Sequence, residues 1–267
     1  MSAHSKEEKL AAFSRLLDIM DDLREKCPWD RKQTFQSLRH LSIEELYELS
    51  DAILQEDMQE IKKELGDVLL HIVFYAKIAS ETRDFDIADV IHTLCEKLIR
   101  RHPHIYGDVK AENEEVVKQN WEQIKQAERK GEKSVLAGVP KSLPALVKAM
   151  RMQEKARAVG FDWEEKEQVW QKVEEEMQEF QAEFNHTQNF DPQKAEAEFG
   201  DLLFSLVNYA RFLDINPETA LERTNLKFLT RFQYLEQKAK EIGKKLSEMS
   251  LAEMDVFWNE AKSIKKA

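Results

Sequence analysis

The sequence predicts an all-α protein made of two tandem repeats, each a bundle of four to five helices. Three observations carry this. Only 7 of the 267 residues are glycine and 6 are proline, against average usage of roughly 7% and 5%. A chain so poor in turn formers cannot supply the turn that a sandwich or barrel needs every ~8–12 residues. No segment sustains the period-2 alternation of a half-buried strand. The third observation is internal: ELGDVLLHIVFYAK at 64–77 returns as EFGDLLFSLVNYAR at 198–211, identical at 7 of 14 positions. With 42% hydrophobic and 34% charged residues, the chain has material for a core and a heavily solvated exterior.

The chain opens on a polar stretch, Met1 to Leu10, with no apolar signal core. Its longest apolar run, Val68 to Ala76, is interrupted by His71 and falls far short of the ~20 residues of a membrane span. Cys27 and Cys95 make no disulfide framework, which fits a soluble protein of a reducing cytoplasm. A net charge of −11 argues against duplex nucleic acid, whose phosphates must be neutralised by Lys and Arg. Small anions stay open through a metal or a local basic cluster.

Both repeats then run in the same order. Pro28-Trp29-Asp30 is echoed by Gly160-Phe161-Asp162-Trp163. The first helix of each repeat carries Glu44-Glu45-x-x-Glu48 or Glu175-Glu176-x-x-Glu179, with an apolar stripe of Leu46, Leu49 and Ile53 or of Met177, Phe180 and Phe184. Loops are signalled at Gln55–Asp57, His102–Gly107, Asn185–Pro192 and Asn216-Pro217. The second helix carries ELGD or EFGD. Lys97-x-x-x-Arg101 returns as Lys227-x-x-x-Arg231, and Trp121-x-x-x-Lys125 as Trp258-x-x-x-Lys262. The offsets run from 130 to 137 residues, the mark of one duplicated module. Gly131, Gly138, Pro140 and Pro144 place a linker at 131–144, between a repeat over 1–130 and one over 145–267.

The chemistry lies in the carboxylates. Residues three apart share a helix face, so Glu45 pairs with Glu48, Glu64 with Asp67, Glu176 with Glu179 and Glu198 with Asp201. On the first helix the pair lies roughly 100° round from the apolar stripe, bordering the expected buried face. The second helix is apolar nearly all round from Leu202 to Ala210, as a buried helix would be. Its polar residues Glu198, Asp201, Ser205 and Asn208 fall on one narrow stripe, matched by Glu64, Asp67, His71 and Phe74. Buried charges must be paired or must coordinate a metal. Two carboxylates ~4 Å apart repel by roughly 1 kcal/mol in water and about 4 at an effective dielectric near 20. Hard oxygen donors gathered this way suit Mg²⁺ or Mn²⁺. A lone ExxE is usually a solvated face, and Glu44, Glu174 and Glu175 fit that description; the same two pairs found twice do not. The di-iron bundle needs Glu-x-x-His on two helices, and aspartate stands at those positions. His71 is matched by Ser205, which makes it a poor candidate for a shared ligand.

Lys97 with Arg101, and Lys227 with Arg231, make small cationic faces able to meet phosphate oxygens. Trp121 and Trp258 could stack on a base, although a single Trp by a helix is more often core. His102-Pro103-His104 has no counterpart and reads as a loop. Phosphate loops, GxSxG, CxxC and HExxH are all absent.

EExxE followed by ExxD resembles the all-α nucleoside triphosphate pyrophosphohydrolases, and most closely the two-repeat MazG family. The motifs run in order along almost the whole chain: CPWD at 27–30, EELYE at 44–48, ELGD at 64–67, RRHPH at 100–104, NWEQIK at 120–125, VGFDW at 159–163, EFGDLLF at 198–204 and NLKFLTRF at 225–232. The resemblance implies a Mg²⁺-dependent hydrolase that turns an NTP into NMP and pyrophosphate, accepts several bases and removes non-standard or surplus nucleotides. It implies Glu176, Glu179, Glu198 and Asp201 as metal ligands, with Lys172, Glu175, Lys227, Arg231 and Trp258 as nucleotide contacts. The N-terminal copies are Glu45, Glu48, Glu64 and Asp67, with Lys97, Arg101 and Trp121. The resemblance implies that the C-terminal repeat is the active one, and Leu41, standing where the second repeat has Lys172, leans the same way. Glu175 adjoins a ligand without being one and is the candidate base for the attacking water. A homodimer is expected by analogy. The other function class is a nucleotide-sensing or partner-binding module without catalysis.

Overall fold

The computed structural model describes residues 4–109, 134–185 and 190–264, together with residues 113, 116, 117, 120, 121, 124, 125 and 128. Every regular element among them is a helix, as the sequence predicts. The chain divides into two compact units, Met1–Trp121 and Glu122–Ala267. The expected linker at 131–144 falls in the second unit, and its residues 131–133 lie outside the described residues.

The first unit holds α1 (Lys6–Lys26), α2 (Phe35–Leu54), α3 (Met58–Thr82), α4 (Ile87–Arg101) and α5 (Pro103–Tyr106). The second holds α6 (Ala145–Arg157), α7 (Lys166–Asn185), α8 (Pro192–Phe212), α9 (Pro217–Glu241) and α10 (Leu251–Ser263). Helix starts are written locally. Ser5, Thr34, Asp57 and Asp86 cap α1 to α4, each side chain accepting first-turn N–H groups that have no partner inside the helix. Asp191 and Asn216 do the same for α8 and α9, each followed by a proline at the first helical position.

Two expectations need correction here. The ExxE helix is not the first of its repeat: α1 precedes α2, and α6 precedes α7. The expected loop at His102–Gly107 contains the single-turn α5, which Pro103 can open because its missing N–H is not needed there. The loop at Asn185–Pro192 has residues 186–189 outside the described set.

The dominant packing in each unit is the antiparallel pair of carboxylate helices, α2 on α3 and α7 on α8. In the first unit Met20, Leu38, Val73 and Phe74 form the core, flanked by Phe13, Leu16, Leu70 and Ile78. In the second, Val169, Val173, Leu202 and Val207 are buried between α7 and α8. Both helices depart in part from the burial expected of them. Leu46 and Ile53 are more than half exposed, and the inward stripe of α2 is Leu38, Ser42, Glu45, Leu49 and Ala52. On α8 the outward Leu203, Phe204 and Leu206 are exposed, while Ser205 on the polar stripe is buried. The polar stripes of the paired helices therefore turn inward beside part of the apolar surface, and the remaining apolar residues face out. Helices with apolar residues on two sides give periodicity no way to choose the inner one.

The loops before the ExxE helices are tied to the second carboxylate helix. Arg24 grips Glu81 of α3 with two hydrogen bonds of 2.8 and 2.6 Å and donates to the carbonyls of Asp30 and Gln33. That contact holds the Glu81 carboxyl below its ordinary value. In the second unit Arg211 of α8 forks onto Asp162, its Nη1 at 2.9 Å from Oδ2 and its Nη2 on Oδ1, and also reaches Asn208.

Candidate active site

In the first unit Glu45, Glu48 and Glu64 each offer a carboxylate oxygen within 4.8 Å of the others. In the second, Glu176, Glu198 and Asp201 do the same. Each triad takes its members from both helices of the pair, as the facing polar stripes require. The innermost member is buried in both: Glu64 is 3% exposed and Glu176 7%. The remaining predicted ligands, Asp67 and Glu179, lie outside these triads but within their field. Burial and then the charges of Asp67, Glu48 and Glu64 push the Glu45 carboxyl up. Burial and then Glu176 and Glu198 push Glu179 up, and Glu48 is raised by burial and by Glu64 and Glu44.

A lysine answers each cluster. Lys172 reaches Glu176 at 2.8 Å and Glu175 at 3.0 Å. In the first unit, where Leu41 occupies that register, Lys63 reaches Glu64 at 2.8 Å from the other helix. Ala197 stands opposite Lys63 in the repeat alignment, so the two units have exchanged the helix that carries the cation. Both ammonium groups are raised, first by hydrogen bonds to Glu64 and Glu176 respectively. The sequence reading counted Leu41 as a lost cation and missed Lys63, which adjoins a cluster residue by one position.

The donor set fits a hard divalent cation. All six triad atoms are carboxylate oxygens, and Oε2 of the buried Glu64 has no hydrogen-bond partner. A buried anionic oxygen without a partner costs free energy unless something positive meets it.

Beside the second cluster lies a cavity of about 650 Å³, a size suited to a small molecule. Lys172, Glu176 and Asp201 form its charged end, and Leu136, Met152, Phe161 and Trp163 are among its apolar walls. Asn208, Gln153 and Arg211 add polar groups. Sequence reasoning missed this cavity, although VGFDW, which builds part of it, was a visible motif. Lys227, Arg231 and Trp258 do not line it. Arg231 lies over the Trp258 ring at 5.9 Å and Phe228 packs on that ring at 5.1 Å, so these residues form their own patch on α9 and α10. In the first unit Lys97 and Arg101 lie on α4. Trp121 stands beyond α5, in a stretch largely outside the described residues.

An all-α fold with paired acidic helices, two carboxylate clusters and an adjoining cavity has the donor set that a metal-dependent hydrolase needs. The comparisons carry this further. A MazG nucleotide pyrophosphohydrolase domain matches residues 33–106. The chain is 46% identical over 253 residues to the nucleoside triphosphate pyrophosphohydrolase/pyrophosphatase MazG of Thermotoga maritima, covering 94% of this chain and 95% of that protein. It is 42% identical over 255 residues to the nucleoside triphosphate pyrophosphohydrolase of Escherichia coli K12, covering 94% and 97%. A 50% identity over 269 residues to the uncharacterized protein YabN of Bacillus subtilis covers 98% of this chain and 54% of that longer protein. The chain belongs to the MazG family.

Proposed function

We infer that this chain is a nucleoside triphosphate pyrophosphohydrolase, converting NTPs and dNTPs with water to the monophosphate and pyrophosphate. The observation that carries the reading is the Glu176 cluster beside a cavity of about 650 Å³ that Glu176, Asp201 and Lys172 help to line. Broad base tolerance and a role in clearing non-standard nucleotides follow from the family resemblance. So does placing the working site in the second unit.

Glu176, Glu179, Glu198 and Asp201 would hold Mg²⁺, with Mn²⁺ as a substitute, and Glu45, Glu48, Glu64 and Asp67 are the equivalent set in the first unit. When bound, the ion supplies positive charge to triphosphate oxygens and acidifies water. The chain's own residues do the rest. Lys172, held by Glu175 and Glu176, is positioned to pass its ammonium to an incoming phosphate. Glu175 is released by the same exchange and takes the proton of the attacking water at a carboxylate oxygen. By the family resemblance alone, Lys227 and Arg231 would meet phosphate oxygens and Trp258 the nucleoside, from their separate patch on α9 and α10, with Lys97, Arg101 and Trp121 as their first-unit counterparts. The outward apolar stripes of α2, α3, α7 and α8 support a homodimer, since Leu65, Leu69, Ile72, Leu203 and Leu206 are all exposed in one chain. No helix among the described residues is long and apolar enough to cross a membrane, and the cysteine usage supports a cytoplasmic setting.

The test is product analysis from a panel of NTPs and dNTPs with Mg²⁺. Monophosphate and pyrophosphate released in equal amounts is the expected result. Release of diphosphate and inorganic phosphate, or no turnover of any nucleotide, would overturn it.

A further inference from the structure

Two amide side chains line the cavity of the second unit, Gln153 on α6 and Asn208 on α8. What each touches fixes which way its amide points. Gln153 lies 2.8 Å from the carbonyl of Phe204, and a carbonyl only accepts, so the amide nitrogen Nε2 donates there. Its Oε1 is left buried without a hydrogen-bond partner, in a residue only 7% exposed. Asn208 faces Arg211, whose Nε and Nη2 lie 3.1 and 2.8 Å from Oδ1. A guanidinium only donates, so both lone pairs of that oxygen are taken and Nδ2 is the group with hydrogen bonds to give. Arg211 is itself held by Asp162, so the Asn208 amide cannot turn over without losing its place in that clamp.

A buried amide oxygen without a donor costs free energy that a ligand N–H recovers. The cavity therefore presents an unmet acceptor and an oriented donor among apolar walls that include Leu136, Met152, Phe161 and Trp163. A flat heteroaromatic ring with an N–H beside an acceptor answers both. Every standard nucleobase has such an edge: an amine beside a ring nitrogen in adenine and cytosine, a ring N–H beside a carbonyl in guanine, uracil and thymine. The first unit shows that the fold alone does not create this arrangement. Phe74 stands at the register of Asn208, 2% exposed in a core shared with Met20 and Leu38, where it fills space and donates nothing. The resemblance would give the nucleoside to Trp258, but Phe228 and Arg231 already lie against that ring at 5.1 and 5.9 Å.

We propose that Gln153 and Asn208 read the hydrogen-bonding edge of the nucleobase in this cavity, Gln153 Oε1 accepting an N–H and Asn208 Nδ2 donating to the acceptor beside it. The inference rests on the pyrophosphohydrolase reading and adds where the base sits and what the pocket demands of it. A pair that all five bases can satisfy tolerates any of them. A ring without its N–H is what it rejects.

The experiment measures kcat and KM of the full chain with Mg²⁺ for ATP and for purine riboside 5′-triphosphate, in which hydrogen replaces the amino group of adenine. Wild type should prefer ATP by about tenfold or more in kcat/KM, chiefly through KM. Gln153→Leu, similar in size and without an acceptor, should bring the two nucleotides within about twofold of each other. That ratio is read within one protein, so a partly unfolded preparation does not alter it. Asn208→Asp keeps the oxygen that Arg211 holds and turns the donor into an acceptor. It should raise KM for both nucleotides about tenfold or more, while inhibition by pyrophosphate, which carries no base, stays at the wild-type value. Trp258→Ala, whatever it does to the rate, should keep the preference for ATP. Equal use of the two nucleotides by wild type, a preference that survives Gln153→Leu or is lost in Trp258→Ala, or an unchanged KM in Asn208→Asp would overturn the proposal and leave the pyrophosphohydrolase reading intact. A wild-type chain that turns over neither these nor any other nucleotide would overturn both.

Discussion

Replacing Arg211 with Ala removes the clamp between α8 and the Phe161–Trp163 wall of the cavity. The Arg211 side chain is 9% exposed and that of Asp162 is 19% exposed. This pair is neither a surface ion pair, worth about 0–1 kcal/mol, nor a fully buried one, whose disruption costs about 3–5 kcal/mol. Its two parallel hydrogen bonds and the additional bonds to Asn208 place it between them. We expect a loss of about 2–3 kcal/mol. For a unit of this size, each kcal/mol moves the thermal midpoint by roughly 2–4 °C, so the second unit should melt about 4–12 °C earlier. Differential scanning calorimetry reads this directly, and a double-mutant cycle with Asp162→Ala isolates the pair. The same substitution should raise KM for nucleotides by loosening the Phe161–Trp163 wall of the cavity that Lys172 and Asp201 also line. A midpoint within about 1 °C of wild type, or additive effects of the two substitutions, would show that Arg211 does not hold the loop.

Three further outcomes follow from the same geometry. Glu175→Gln should lower kcat about 100-fold or more, the usual contribution of a general base, while Mg²⁺ affinity by calorimetry stays at the wild-type value. Leu203→Glu, on the exposed stripe of α8, should shift a dimer to monomer in light scattering, and its first-unit counterpart Leu69→Glu should act in the same direction. Thermal stability should depend on pH with two opposite slopes. Glu45, Glu48 and Glu179 have raised folded pKa values, so in metal-free protein they lose their destabilising charge as pH falls toward 4.5. Glu81, held down by Arg24, and Glu253, pulled down to about 2 by Lys244 and Ser250, contribute stability above pH 4.5 that is lost on further acidification. With chelator the midpoint should therefore rise from neutrality to about pH 5 and then fall. Saturating Mg²⁺ should remove the rise, because it stabilises the charged clusters. Melting curves across pH, with chelator and with Mg²⁺, check both limbs.

Carboxylate spacing was readable because a helix face is fixed by residue separation alone: Glu45 shares a face with Glu48, and Glu198 with Asp201, as their positions require. Helix starts were readable for the same local reason, with Asp57, Asp191 and Asn216 standing where a cap is needed. What lay beyond the sequence depends on the partner of each face. Leu46 and Ile53 form as good an apolar stripe as Leu38 and Ala52, and only packing against α3 decides that Glu45 faces inward. The exchange of Lys172 for Lys63 was hidden because the compensating residue lies on the other helix of the pair. The cavity draws on residues from Val135 to Arg211, too far apart in sequence for any local pattern to join.

The central claim is that the second carboxylate cluster drives pyrophosphate release. It is tested most directly by comparing wild type, Glu179→Gln and Glu48→Gln with Mg²⁺ and the best nucleotide of the panel. Release lost in Glu179→Gln and retained in Glu48→Gln is the predicted result. Full activity in Glu179→Gln, with loss only in Glu48→Gln, would place the chemistry in the first unit and contradict the account.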